Sequence, residues 1–126
     1  EDEKNDAVSV AKTVAEKFGC IAAITGAVDT ISDGGRVIRI SNGHSALSKV
    51  TGTGCMTSGI VGSFAGASDD MLLAAAAGIC AMGIAGEIAY EKAGKIGTGS
   101  FHIAIIDALS RLDGALAAER IRADEK

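Results

Sequence analysis

Apolar residues recur every three or four positions near the start of the chain, and that spacing predicts a first helix. Ala7, Ala11, Val14 and Phe18 fall on one side of it, Lys12, Glu16 and Lys17 on the other, and Gly19 supplies the stop. Cys20-Ile21-Ala22-Ala23-Ile24 is too short for a helix and follows a helix stop directly, so it reads as a strand buried on both faces of a sheet. Thr25-Gly26 ends it. Two further runs, Val28 to Ser32 and Arg36 to Ser41, flank Asp33-Gly34-Gly35. In the second, Arg36, Ile38 and Ile40 alternate with Val37, Arg39 and Ser41, the pattern of a hairpin with one solvated face.

The polar connection Asn42-Gly43-His44-Ser45 precedes Lys49-Val50-Thr51-Gly52-Thr53-Gly54-Cys55, a glycine turn that feeds a helix from Met56 to Ala67. Ile60, Val61 and Phe64 share one face of that helix. Ser68-Asp69-Asp70 then caps a long Ala-rich helix from about Met71 to Ala93, with acidic residues placed well for its dipole. Gly78, Gly83 and Gly86 lie inside it. Each interior glycine costs roughly 0.5–1 kcal/mol relative to Ala, so three of them point to a helix face that another backbone approaches closely. Gly94 to Gly99 breaks the chain, Phe101, Ile105, Leu109 and Leu112 mark a final helix, and the charged tail from Asp113 is expected to fray. No internal repeat or linker interrupts this order. About three strands and four helices result. A strand buried on both faces needs more strands beside it, so the pattern reads as part of a larger α/β domain.

Composition narrows the possibilities. In 126 residues, 48% are apolar and 22% charged, which excludes disorder driven by charge. The net charge is −4 and no basic run offers the phosphate-neutralising surface that nucleic acid requires. With 17 Gly and no Pro or Trp, the core must be built from Ala, Ile, Val, Leu and Gly. Three cysteines, Cys20, Cys55 and Cys80, form no C-x-x-C pair, which argues against a disulfide scaffold or zinc ribbon and for a reducing, cytoplasmic compartment. The acidic opening Glu1 to Asp6 is the reverse of a secretory signal. Val50 to Ser68 is too polar and Met71 to Gly86 too short for a membrane span, so no membrane anchor is expected.

Thr51-Gly52-Thr53-Gly54-Cys55 is the strongest candidate for chemistry. Glycines let backbone N–H groups converge, and the helix that follows presents unpaired donors and the positive end of its dipole, an arrangement that holds anions. The P-loop lysine is absent, and the third glycine of a dinucleotide fingerprint is replaced by Thr57. A purely structural glycine turn is the alternative. Cys55, in the first helical turn, could act as base or nucleophile because the dipole favours thiolate, or could be a small buried hydrophobe. For Cys20 and Cys80, inside apolar segments, the buried reading prevails. His44 and His102 have no second ligand at metal spacing, Glu87 with Glu91 reads as a solvated helix face, and Asp107 and Asp113 read as helix-surface and helix-end residues. No metal site is expected from this chain alone, and no G-x-S-x-G or Ser-His-Asp pattern occurs.

Asn42-Gly43-His44 followed by Lys49 to Cys55 resembles the hydroxyethylthiazole kinases, thiamin-salvage enzymes of the ribokinase-like fold. Ile24-Thr25-Gly26-Ala27-Val28-Asp29, the Asp33-Gly34 hairpin, Gly86-Glu87 and Gly97-Thr98-Gly99-Ser100-Phe101 follow in the family's order; Ser45 and Thr98 stand where the family often carries proline. The resemblance implies a three-layer α/β/α fold of which this chain, residues 1–126, is roughly the C-terminal half. It also implies ATP and Mg²⁺, and transfer of the γ-phosphoryl group to the hydroxyl of 4-methyl-5-(2-hydroxyethyl)thiazole. An N-terminal half would supply the rest of the site, and a homotrimer the assembly. By the same analogy Thr25 contacts ATP, Gly52 lies at the thiazole, Gly52, Thr53, Gly54 and Cys55 form an anion hole, and Cys55 stands where most ribokinase-like enzymes carry an aspartate base. The rival expectation is a half-domain or nucleotide-binding module without catalysis.

Overall fold

Asp70 starts the element around which the rest of the chain is arranged. Its carboxylate accepts from the Leu73 N–H at 3.1 Å and caps helix α3 (Met71–Ala93), as the Ser68-Asp69-Asp70 signal predicts. The computed structural model describes residues 2–126, so Glu1 of the acidic opening lies outside the described residues. Before α3 come α1 (Asp2–Phe18), β1 (Ala22–Ile24), β2 (Asp29–Ser32), β3 (Val37–Ile40), a short 3-10 helix (Ser45–Lys49) and α2 (Thr53–Gly66). After it come α4 (Thr98–Arg111), α5 (Gly114–Arg120) and β4 (Ala123–Glu125). The four strands form one antiparallel sheet in the order β1-β2-β3-β4.

The hairpin is present, with Ile31 opposite Ile38 and Ser32 opposite Val37, but its expected solvated face is not. Strand alternation sends Ile31, Ile38 and Ile40 toward α3, where they join Leu72, Ala76, Ile79 and Ile84 in one core. The other face carries Thr30, Ser32 and Val37, which are equally buried because α1 lies across β1 and β2. Ala11 and Ala15 face the sheet, and only small side chains allow that approach. Consequently the apolar face of α1 is turned from the one predicted: Val14 is half-exposed and Phe18 is 67% exposed.

Strand β1 also departs from expectation. It is an edge strand of three residues in which Ala23 is exposed, so the run Cys20 to Ile24 is not buried on both faces, and Cys20 itself is exposed rather than packed. No element covers Ala23 because a cleft opens above it. The tail from Asp113 does not fray. Asp113 caps α5 through the Leu116 N–H, and β4 pairs with β3, with Arg39 and Asp124 joined at 2.8 Å. These two elements account for the extra strand and helix.

Helix α3 is long and apolar enough to cross a membrane by length and composition, longer than the Met71–Gly86 run suggested, yet 72% of its apolar window is buried inside the fold. The sheet, α2 and α4 cover it. Two of its glycines explain how. A Cβ at Gly78 would lie 2.7 Å from the Val61 Cα of α2, and one at Gly83 would lie 2.8 Å from the Asn42 carbonyl oxygen. Gly86 faces the Leu47 side chain instead. The close-packed face inferred from these residues is therefore formed within the chain.

Replacing Gly78 or Gly83 with Ala should lower stability by about 1–3 kcal/mol in chemical denaturation, because backbone cannot yield as a side chain can. Gly59→Ala, where nothing lies within 4 Å, should instead raise it by about 0.5–1 kcal/mol through helix propensity.

A charge clip joins the hairpin turn to the start of α3. The Arg36 guanidinium donates to Asp33 and, with both terminal nitrogens, to Asp70 at 2.9 and 3.1 Å. Hydrogen bonds from Arg36 and from the Leu73 N–H hold the Asp70 carboxyl down at about 2, below its ordinary 3.8. A depressed carboxylate stabilises the fold above its ordinary pKa and loses that contribution as pH falls toward about 2. Thermal melting followed from pH 5 to pH 2 should show a shallower decline for Asp70→Asn, which keeps the helix cap but cannot titrate, than for the parent chain.

Candidate functional site

The glycine turn places a helix start beside an open cleft. Gly52 takes φ +93°, a left-handed conformation that disfavours any side chain, and from it α2 begins with no side-chain cap. Met56 is the first residue whose N–H finds a backbone partner, the Gly52 carbonyl at 2.9 Å. Among the described residues, the N–H groups of Thr53, Gly54 and Cys55 have none. The Thr53 hydroxyl braces the turn from behind by donating to the Leu47 and Val50 carbonyls. Three donors at the positive end of a 14-residue helix are thus held without a partner, which is the physical requirement for binding an anion.

The cleft, about 1030 Å³, is bounded by three segments: Thr25 to Ala27 from the β1–β2 connection with Asp29 at the start of β2, Asn42 to Ser45 after β3, and Thr53, Gly54, Thr57 and Ser58 of α2. Val61, Ala75, Ile79 and Met82 form its apolar floor. Of the sequence candidates, Thr25, Thr53 and Gly54 meet here. Gly52 and Cys55 are exposed beside it and are not lining residues. Cys55 is exposed in this part of the fold, whereas Cys80 is buried, with its thiol 3.5 Å from the Asn42 Oδ1 and burial pushing its pKa up.

Sequence reasoning missed several residues that shape this cleft. Asp29 accepts from the Gly26 N–H at 2.9 Å and holds the Thr25-Gly26 turn; desolvation raises its pKa despite that hydrogen bond. Glu87, read as part of a solvated face, is instead the centre of a network. It accepts from the Gly43 N–H, the Asn42 amide and Arg122, and although burial raises its pKa, these donors together bring it below the ordinary value. Glu91 pairs with Arg120 on α5. Asn42, 5% exposed, donates to the Arg120 carbonyl and accepts from the Arg122 N–H at 2.7 Å, so the loop bordering the cleft is tied to the tail. The only signal of this in the sequence is that a Gly-flanked asparagine follows a strand, which does not reveal partners about eighty positions away.

A family model, the Hydroxyethylthiazole kinase family, matches residues 1–115. The chain belongs to this family. A hydroxyethylthiazole kinase of Ruminiclostridium cellulolyticum is 58% identical over 98% of this chain, and one of Clostridium beijerinckii is 59% identical over 86%. The solved hydroxyethylthiazole kinase protein of Pyrococcus horikoshii OT3 superposes with a TM-score of 0.93 at 36% identity, covering 99% of this chain and 48% of that one. The chain spans 45% and 39% of the length of those two relatives. The ribokinase-like α/β assignment follows from these matches, with helices on both faces of the sheet.

Mg²⁺, which the family resemblance implies, finds no ligand set in this part of the kinase fold. Among the described residues no group of three or more His, Cys, Asp or Glu could hold a metal ion, and the Asp29 carboxylate in the cleft is engaged by Gly26. The residues present do not fit a resident metal.

Asn42→Ala would leave the Arg120 carbonyl and the Arg122 N–H without partners and should cost about 1–3 kcal/mol, measured by urea denaturation. Hydrogen exchange should locate the loss in α5 and β4 before the rest of the fold.

Proposed function

We propose that this chain is the C-terminal part of a cytoplasmic enzyme that transfers the ATP γ-phosphoryl group to the hydroxyl of 4-methyl-5-(2-hydroxyethyl)thiazole. An N-terminal half supplies the remaining thiazole and metal-nucleotide contacts, and the working assembly is a homotrimer. Three N–H groups at the start of α2 that have no partner among the described residues, two of them from residues lining the cleft with Thr25, carry this reading, supported by membership of the kinase family. Phosphoryl transfer asks chiefly for positioning and for stabilisation of charge on the transferred group. Donors already aimed at that charge need no reorganisation when it develops.

In this mechanism Thr25 contacts the nucleotide, Gly52 borders the thiazole, and the backbone of Gly52, Thr53, Gly54 and Cys55 forms the anion hole. The hydroxyl oxygen bonds to the γ-phosphorus while the bond to the ADP oxygen breaks, and the hydroxyl proton passes to the Cys55 thiolate. Its exposure leaves the sulfur reachable.

A second reading, a nucleotide-binding half-domain without catalysis, draws on the lack of a metal-holding carboxylate cluster among the described residues. Assays with ATP, Mg²⁺ and the thiazole alcohol separate the two: the chain alone should be inactive, and adding an N-terminal half should restore phosphorylated product. No product from the combined halves would favour the second reading. In the active assembly, Cys55→Ala should lower kcat by about 10²-fold, within the range general-base catalysis supplies, and Cys55→Asp should recover part of the loss. Unchanged turnover in Cys55→Ala would remove the base role.

A further inference from the structure

His44 has one nitrogen committed and the other free. Its Nδ1 accepts from the Ala46 N–H at 3.1 Å, capping the 3-10 helix, so in the neutral ring the proton sits on Nε2. The ring cannot turn easily. It stacks on Tyr90 with centroids 3.6 Å apart and planes 20° from parallel, and Tyr90 in turn meets the edge of buried Phe101. A backbone hydrogen bond and an aromatic stack therefore fix a ring that lines the same cleft as Thr25, Thr53 and Gly54. Among the described residues no Lys or Arg lines that cleft; of its other side-chain donors, the Thr53, Thr57 and Ser58 hydroxyls donate to backbone carbonyls and the Asn42 amide is spent on Glu87 and Arg120.

We propose that His44 is a ligand-contacting residue whose Nε2–H donates to a phosphate oxygen of the nucleotide, opposite the N–H groups at the start of α2. This rests on the kinase reading above and extends it to a residue with no role assigned there. The imidazole serves as a pre-oriented donor where the described residues of the cleft include no Lys or Arg, which suits a site that must hold a phosphate tail yet release it after transfer.

Two isosteric substitutions separate this role from the structural one. His44→Asn places an amide near Nδ1 and can keep the Ala46 cap, but removes the far donor. His44→Gln places an amide near Nε2 and weakens the cap. In the complete enzyme, this chain together with an N-terminal half, His44→Asn should raise KM for ATP about tenfold or more with KM for the thiazole alcohol little changed, as expected for losing a hydrogen bond to a charged group. His44→Gln should retain most of the ATP affinity while melting at lower temperature. Calorimetric titration with a non-hydrolysable ATP analogue measures the same contact without turnover. If the parent protein binds the analogue but phosphorylates no thiazole alcohol, the kinase reading fails while the His44 contact is still measured. Unchanged analogue affinity in both His44→Asn and His44→Ala would overturn the proposal, as would a rise in KM confined to the alcohol.

Discussion

The close approach of backbone to α3 at Gly78 and Gly83 is the constraint on which the rest of the architecture depends. At these positions there is no room for a Cβ against Val61 and Asn42. Removing one side chain from each contact lets α2 and the loop after β3 sit directly on the helix, and this brings them close enough to face each other across one cleft. Larger residues would push both elements outward and widen the gap between the helix start and His44. The cost of glycine within a helix is offset by the packing it permits, in a core that has few aromatic residues to fill space.

Around that core, polar side chains set the position of the loops. Asn42 and Glu87 link the loop after β3 to α3 and to the tail, so that Gly43 and His44 are held although they lie outside regular structure. Asp29 does the same for the Thr25-Gly26 turn, and Thr53 for the glycine turn. Each of the three walls of the cleft is therefore fixed by a side-chain hydrogen bond, accepted by Asp29 and Glu87 and donated by Thr53. A cleft built on loops gains rigidity in this way.

Exposed apolar surface among the described residues accompanies a chain that spans less than half the length of its relatives. The edge of β1, with Ala23 exposed, adjoins the cleft, and Val14 and Phe18 of α1 present apolar surface beside the sheet. A short edge strand flanked by exposed apolar side chains is the usual boundary at which another strand and its covering helix are added.

Much of the fold was legible in the sequence because local chemistry decides it. The stop at Gly19, the Asp33-Gly34-Gly35 turn, the Asp70 cap and the glycine turn before α2 depend on neighbours a few residues away. Even the meaning of Gly78 and Gly83 could be read, since glycines spaced along an otherwise Ala-rich helix point to close packing, although Gly59 and Gly62 of α2 have open space around them. The turn at Gly52 could likewise be recognised as the feature that leads into α2. What tertiary structure alone decided involves partners far apart in the chain. It buried both faces of the hairpin beneath α1 and α3, ordered the tail through Asn42 and Arg39, drew Glu87 out of solvent, and left Cys55 exposed at the edge of the cleft. Periodicity records which residues share a face, but burial depends on what covers that face, and that is set only when distant segments meet.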